Sequence, residues 1–216
     1  MRLLIVSATV FEIAPLVKEI DGNISDKIFS THAYKNHTID ILLTGVGIAH
    51  TSFYLGKYLS DTYDLVINAG ICGSFTDSIS IGDVVCVDED CFADLGAEDN
   101  ESFLSLEELN LPGTYYLMNE NIFYNDLFDT LQSVKGATVN TTHGNVHSIE
   151  KFSAYSKANI ESMEGAAFLF ACNQTKVNCR QIRAISNYVE KRDRSKWNIP
   201  LAIANLNKIL IEFINK

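Results

Sequence analysis

The chain has 216 residues, 47% hydrophobic and 20% charged, with a formal net charge of −10. That length and composition suit one globular domain over residues 1–216, burying about 70% of its unfolded surface without a metal or disulfide staple. The acidic balance argues against a non-specific nucleic-acid binder, which needs cations to neutralise phosphates, and against an anionic membrane as partner.

In chain order, "LLIVSA" (3–8) predicts a buried strand, and "EIAPLVKEI" (12–20) a helix with Pro15 in its first turns. "TIDILLT" (38–44) predicts a second strand, "GIAHTSFYLGKYLS" (47–60) a helix, "DLVINAG" (64–70) a buried strand and "DVVCVDE" (83–89) another. The acidic region around 90–115 reads as loop, a lid or a partner-facing surface. Helix is expected over 121–134, strand over 136–142, a buried helix over 163–174, a strand over 179–186 and a closing helix over 199–214. Strands alternating with helices predict an α/β layered domain with a mainly parallel sheet.

The N-terminal apolar run meets Glu12 too early for a signal peptide, and no stretch approaches the ~20 apolar residues of a membrane span. Cysteines stand at 72, 86, 91, 172 and 179, an odd number without C-x-x-C spacing. They read as buried free thiols in a reducing cytoplasm.

Several constellations can carry chemistry. "TGVGIAH" places Gly45 and Gly47 between a strand and a helix, but His50 stands where a dinucleotide fingerprint needs its third glycine. "NAGICGSF" puts Gly70 and Gly73 around a bend, either a plain turn or an exposure of backbone N–H groups at the carboxyl end of a sheet. Glu12 follows the first strand, and Glu164 enters an apolar helix in "ESMEGAAF". Glu164 can be a helix N-terminal acid or a ligand for sugar hydroxyls, since lone carboxylates are rarely buried unpaired. His143 and His147 have metal-like spacing, but Gly144 makes a helix there doubtful and the metal reading weak. Asn187 ends the strand in "RAISN" as a turn residue or a substrate reader.

"LLIVSATVFEIAPL", "TGVGIAH", "INAGICGSF" with "IGDVV", "ESMEGAAF" and "RAISN" occur in order over nearly the whole chain. Together they resemble the nucleoside phosphorylase and nucleosidase superfamily. "FADLGAED" and "ISNYVEKRDRSKW" look like its futalosine hydrolase branch, which belongs to menaquinone biosynthesis. The resemblance implies a three-layer α/β/α sandwich with a mixed central sheet, a homodimer or higher homo-oligomer, and no cofactor. It implies that Glu12 activates water, Glu164 binds the ribose hydroxyls with Met163 against the sugar, and Asn187 faces the purine. Ile71, Gly73, Asn145, Ser162 and Arg183 are carried over as substrate contacts, Arg183 also as an internal ion-pair partner for a site carboxylate.

Related phosphorylases hold phosphate with an arginine and a serine where this chain has Asn68 and Ile71. A phosphate dianion would lack charge-assisted partners, so water is the expected nucleophile. Asn187 stands where related methylthioadenosine nucleosidases carry an aspartate, which favours hypoxanthine over adenine as leaving base. The cations near the site in sequence are Arg183, Lys191, Arg192, Arg194 and Lys196; one arginine can take the benzoate carboxylate of futalosine, or "EKRDRSK" is an ordinary solvated charged loop. The alternatives are a 5′-methylthioadenosine/S-adenosylhomocysteine nucleosidase, and a non-catalytic nucleoside-binding protein of the same fold.

Overall fold

The computed structural model describes residues 1–21 and 26–216. Strand β1 (Arg2–Ser7) leads through a 3-10 turn (Val10–Ile13) into helix α1 (Ala14–Asp21). Then come β2 (Phe29–Tyr34), β3 (His37–Leu43), α2 (Ile48–Tyr58), β4 (Leu65–Ser74) and β5 (Val84–Cys91). A hairpin of β6 (Gly96–Asp99) and β7 (Ser102–Ser105) precedes β8 (Tyr116–Met118) and β9 (Gln132–Thr138). The chain ends with α3 (Val146–Tyr155), β10 (Ile160–Ser162), α4 (Gly165–Thr175), β11 (Cys179–Tyr188) and α5 (Ile199–Asn215).

The main sheet has nine strands in the order β10-β9-β5-β11-β4-β1-β3-β2, with β8 on β5. It is mixed: β1 is parallel to β3 and β4, and β11 is parallel to β4 but antiparallel to β5. Residues alternate across a strand, and β1 is buried on both faces. Leu3 and Ile5 pack with α1 and α5, while Leu4 and Val6 pack with α2 and α4. Helices on both faces make the α/β/α sandwich. The sheet also closes on itself at one end, because β10 pairs with β4 as well as β9.

The sequence patterns announce none of β2, β8, α3 and β10, and the strand expected over 136–142 is β9, Gln132–Thr138. No helix spans 121–134. Phe128 is fully buried against Phe213 in a short 3-10 turn (Phe128–Thr130), and β9 has already begun at Gln132. Asn125 accepts from Leu127 N–H, and its own N–H donates to Asp129. Such local side-chain bonds compete with helix formation. The region 90–115 carries the end of β5 and a hairpin. "NAGICGSF" is no bend either, since β4 runs straight through both glycines. A Cβ on Gly70 would lie 2.3 Å from Nη1 of Arg183 and 2.9 Å from Oε1 of Glu12. Gly70 is therefore needed for close approach.

Candidate active site

The carboxyl ends of β1, β4 and β11 converge with the turn before α2 and the β10–α4 junction. This is where α/β sheets usually bind ligands. They enclose a cavity of ≈320 Å³, within the range of small-molecule sites.

Glu12 sits in the 3-10 turn after β1. Thr9 donates to its Oε2 from both backbone N–H and hydroxyl at 3.0 Å, and Ile71 N–H donates to Oε1 at 3.1 Å. From α5, the buried Asn207 donates to the Glu12 carbonyl at 2.8 Å and accepts from Leu16 N–H at 3.0 Å. One amide thus pins the turn to α1. Burial is the largest influence on the Glu12 carboxyl and pushes its pKa up. The Ile71 N–H, Arg183 and Thr9 oppose the rise, while neighbouring Glu164 adds to it.

Glu164 stands at the N-cap position of α4, with its carboxylate turned away from the helix N–H groups. Gly47 N–H donates to its Oε1 at 3.1 Å, and Arg183 Nη1 lies 3.4 Å from Oε2. Gly47 has φ +100°, a left-handed conformation that suits glycine. Arg183 is 1% exposed and also donates to Asn68 Oδ1 at 2.5 Å. It is thus an internal ion-pair partner beneath the site, and it is not among the residues that line the cavity. A buried arginine needs such partners.

Asn187 follows a register shift in β11 between Ile185 and Asn187. The bulge re-aims the strand end, and the Ser186 carbonyl there accepts from Asn198 N–H at 2.8 Å. Asn187 Nδ2 donates to the Tyr188 carbonyl at 2.9 Å, and its Oδ1 accepts from the Ser186 hydroxyl at 2.8 Å. A carbonyl only accepts, which fixes the amide's orientation and leaves its second hydrogen uncommitted.

Glu12, Ile71, Gly73, Ser162, Met163, Glu164 and Asn187 all line the cavity. Asn145, also expected as a substrate contact, does not line it. Its side chain caps α3, accepting from His147 N–H at 2.9 Å. Of the cations in "EKRDRSK", Arg192 lines the cavity and lies 5.0 Å over the Trp197 ring, whereas Lys196 pairs with Glu190. Among the described residues no group of three His, Cys, Asp or Glu side chains could hold a metal, and His143 bonds Glu161 instead. Sequence reasoning passed over Thr9, Asn207, Trp197 and Glu161. Only Thr9 left a signal, a T-x-x-E spacing that suits the start of a helical turn.

Fold and site together define an α/β protein with paired buried carboxylates at a strand-end cavity of small-molecule size. The family model described as Phosphorylase superfamily matches residues 2–215. The chain belongs to that superfamily. It is 32% identical over 214 residues to a futalosine hydrolase of Acidothermus cellulolyticus, covering 95% of this chain and 87% of the relative. It is 31% identical over 177 residues to a futalosine hydrolase of Streptomyces coelicolor, covering 77% and 74%. Among solved structures it resembles a Helicobacter pylori 5′-methylthioadenosine/S-adenosyl homocysteine nucleosidase, with a TM-score of 0.80 at 17% identity over 100% of this chain and 98% of that one. The native futalosine hydrolase of the same organism also gives 0.80 at 17% identity, over 100% and 97%. At that identity the structural matches speak to the fold.

Proposed function

We propose that the protein hydrolyses the N-glycosidic bond of futalosine and releases hypoxanthine. The observation that carries this reading is the pair of buried carboxylates, Glu12 and Glu164, in one cavity with Asn187. Similarity to two futalosine hydrolases at above 30% identity supports the substrate.

Cleavage builds positive charge on the ribose and negative charge on the departing purine. Glu164, held by Gly47 N–H and Arg183, accepts from the ribose hydroxyls and lies near the developing cation. Glu12, its pKa raised by burial, takes a proton from water held at the anomeric carbon. Asn187 gives its uncommitted amide hydrogen to O6 or N7 of hypoxanthine, stabilising the leaving base electrostatically. The exocyclic amine of adenine meets that donor badly.

Water is the nucleophile because phosphate has poor partners here. Ile71 N–H is committed to Glu12, and Asn68 is committed to Arg183 and the Val6 carbonyl. Among the described residues Arg192 is the one lysine or arginine lining the cavity. Arg192 binds the benzoate carboxylate in this reading.

A homo-oligomer and a cytoplasmic location belong to the same proposal. Phe11 and Val46 line the cavity yet are 76% and 47% exposed, as apolar groups covered by a second copy would be. The five cysteines are buried free thiols, which fits a reducing compartment. The test is incubation with futalosine, inosine and 5′-methylthioadenosine, followed by identification of the released base. Hypoxanthine from futalosine is expected; adenine as the main product, or no turnover, would sink the reading.

A further inference from the structure

Two cavity residues, His143 and Glu161, have no role in the mechanism above. Glu161 in β10 is 4% exposed. Its carboxylate accepts from His143 N–H at 3.0 Å and bonds the ring Nδ1. The ring packs against Phe75 and Phe152, with centroids at 6.1 and 4.8 Å. Both partners line the cavity, and Nε2 has no hydrogen-bond partner among the described residues.

The sheet register places this pair relative to the base site. Glu161 pairs with Gly73 across β10–β4, and Gly73 pairs with Asn187 across β4–β11. The three form one cross-strand row, with Glu161 and Asn187 as outer members. At about 4.8 Å per strand their backbones stand about 10 Å apart. The middle member has no side chain; a Cβ there would lie 2.8 Å from Val189 Cγ2 and 3.3 Å from Asn187 Nδ2, so glycine lets those two side chains lie against the strand. All three members line the cavity, with a polar side chain at each end of the row.

We propose that His143, positioned by Glu161, accepts a hydrogen bond from N1–H of the bound base and so selects a 6-oxopurine over adenine. A carboxylate only accepts, so Nδ1 carries a hydrogen, and in the neutral ring Nε2 then presents its lone pair. Hypoxanthine offers a hydrogen at N1; adenine offers a second lone pair there. Asn187 and His143 then read adjacent edges of one base. A mismatch that leaves buried polar groups unpaired discriminates strongly.

This inference rests on the futalosine reading. The test compares kcat/KM for futalosine and for its 6-amino analogue, which carries adenine, in wild type, H143F and E161Q. Phenylalanine keeps the aromatic packing and removes the acceptor. H143F should lower kcat/KM on futalosine about 30-fold while changing the analogue less than about threefold. In E161Q the glutamine oxygen takes the His143 N–H and its NH₂ faces Nδ1, which must then accept, so Nε2 carries the hydrogen and the preference should shift toward the analogue. Equal losses on both substrates in H143F, or an unchanged ratio in E161Q, would overturn the proposal. If H143F does not fold, the E161Q ratio decides. Wild type that releases hypoxanthine while the variants keep its selectivity sinks His143 alone. Wild type inert on futalosine sinks the function, and the ratio is then read from hypoxanthine and adenine affinities by calorimetry.

Discussion

The two oxygens of Glu12 have different neighbours: Oε2 is held by Thr9, and Oε1 accepts from Ile71 N–H. An amide in that place keeps the Thr9 bonds through its oxygen, sets its NH₂ against Ile71 N–H, and loses the basicity. E12Q should therefore lower kcat about 10²- to 10⁴-fold and leave KM within about threefold, as steady-state kinetics on futalosine would show. Glu12 must be ionised to act, and burial raises its pKa, so kcat/KM should fall on acidification at a pH above the ordinary carboxylate range. The Glu164 charge contributes to that rise. E164Q removes a negative neighbour, so the acid limb should move to lower pH even as the rate drops; a limb that stays put would show that Glu12 does not set it. Gly70 allows Arg183 and Glu12 to approach the strand, and G70A should cost about 1–3 kcal/mol in denaturant unfolding by overpacking.

At the scale of elements, the central strands were legible as short, largely apolar runs, whereas the parallel strands β9 and β10 at the sheet's other end were displaced or unread. β1, β3, β4 and β11 fall where their patterns predict, as do α2, α4 and α5. The misread segments are those whose conformation is fixed by distant partners. Around Phe128 the chain is held by Asn125, by Arg180 from β11 to Asp129, and by Phe213 from α5. No local pattern announces such contacts. The same holds for the site. Glu12, Glu164 and Asn187 sit in recognisable stretches, whereas Asn207 acts on Glu12 from 195 residues away. Asn145, expected as a substrate contact, has its side chain engaged as the cap of α3. N145A should cost about 1 kcal/mol, or about 2–4 °C in melting temperature. KM for futalosine should stay within about twofold, and a large rise in KM would return Asn145 to the site.

At the scale of the whole molecule, Asp90 joins layers that the active site depends on. It accepts from Thr138 of β9 at 2.9 Å and from Gln181 of β11 at 2.8 Å, and a Cβ on Gly165 at the start of α4 would lie 2.2 Å from it. Burial pushes its carboxyl from 3.8 up to about 6, against the bonds from Gln181 and Thr138. A carboxyl raised in the folded state holds its proton where the unfolded chain has lost it. Its contribution to stability is complete below the unfolded value of 3.8 and is lost as pH rises through about 6. That difference corresponds to about 3 kcal/mol. D90N removes the titration, so its stability relative to wild type should increase by about that amount from pH 4 to pH 7, measured by urea unfolding. A difference independent of pH would mean that Asp90 does not titrate in the fold.

The central claim, that water and not phosphate attacks the ribose of futalosine, is tested most directly by running the reaction in ¹⁸O-labelled water with phosphate present. The account predicts free hypoxanthine, ¹⁸O at the anomeric carbon of the sugar product, no sugar phosphate, and a rate unaffected by phosphate. A phosphorylated sugar without the label, or adenine nucleosides cleaved in preference to futalosine, would contradict it.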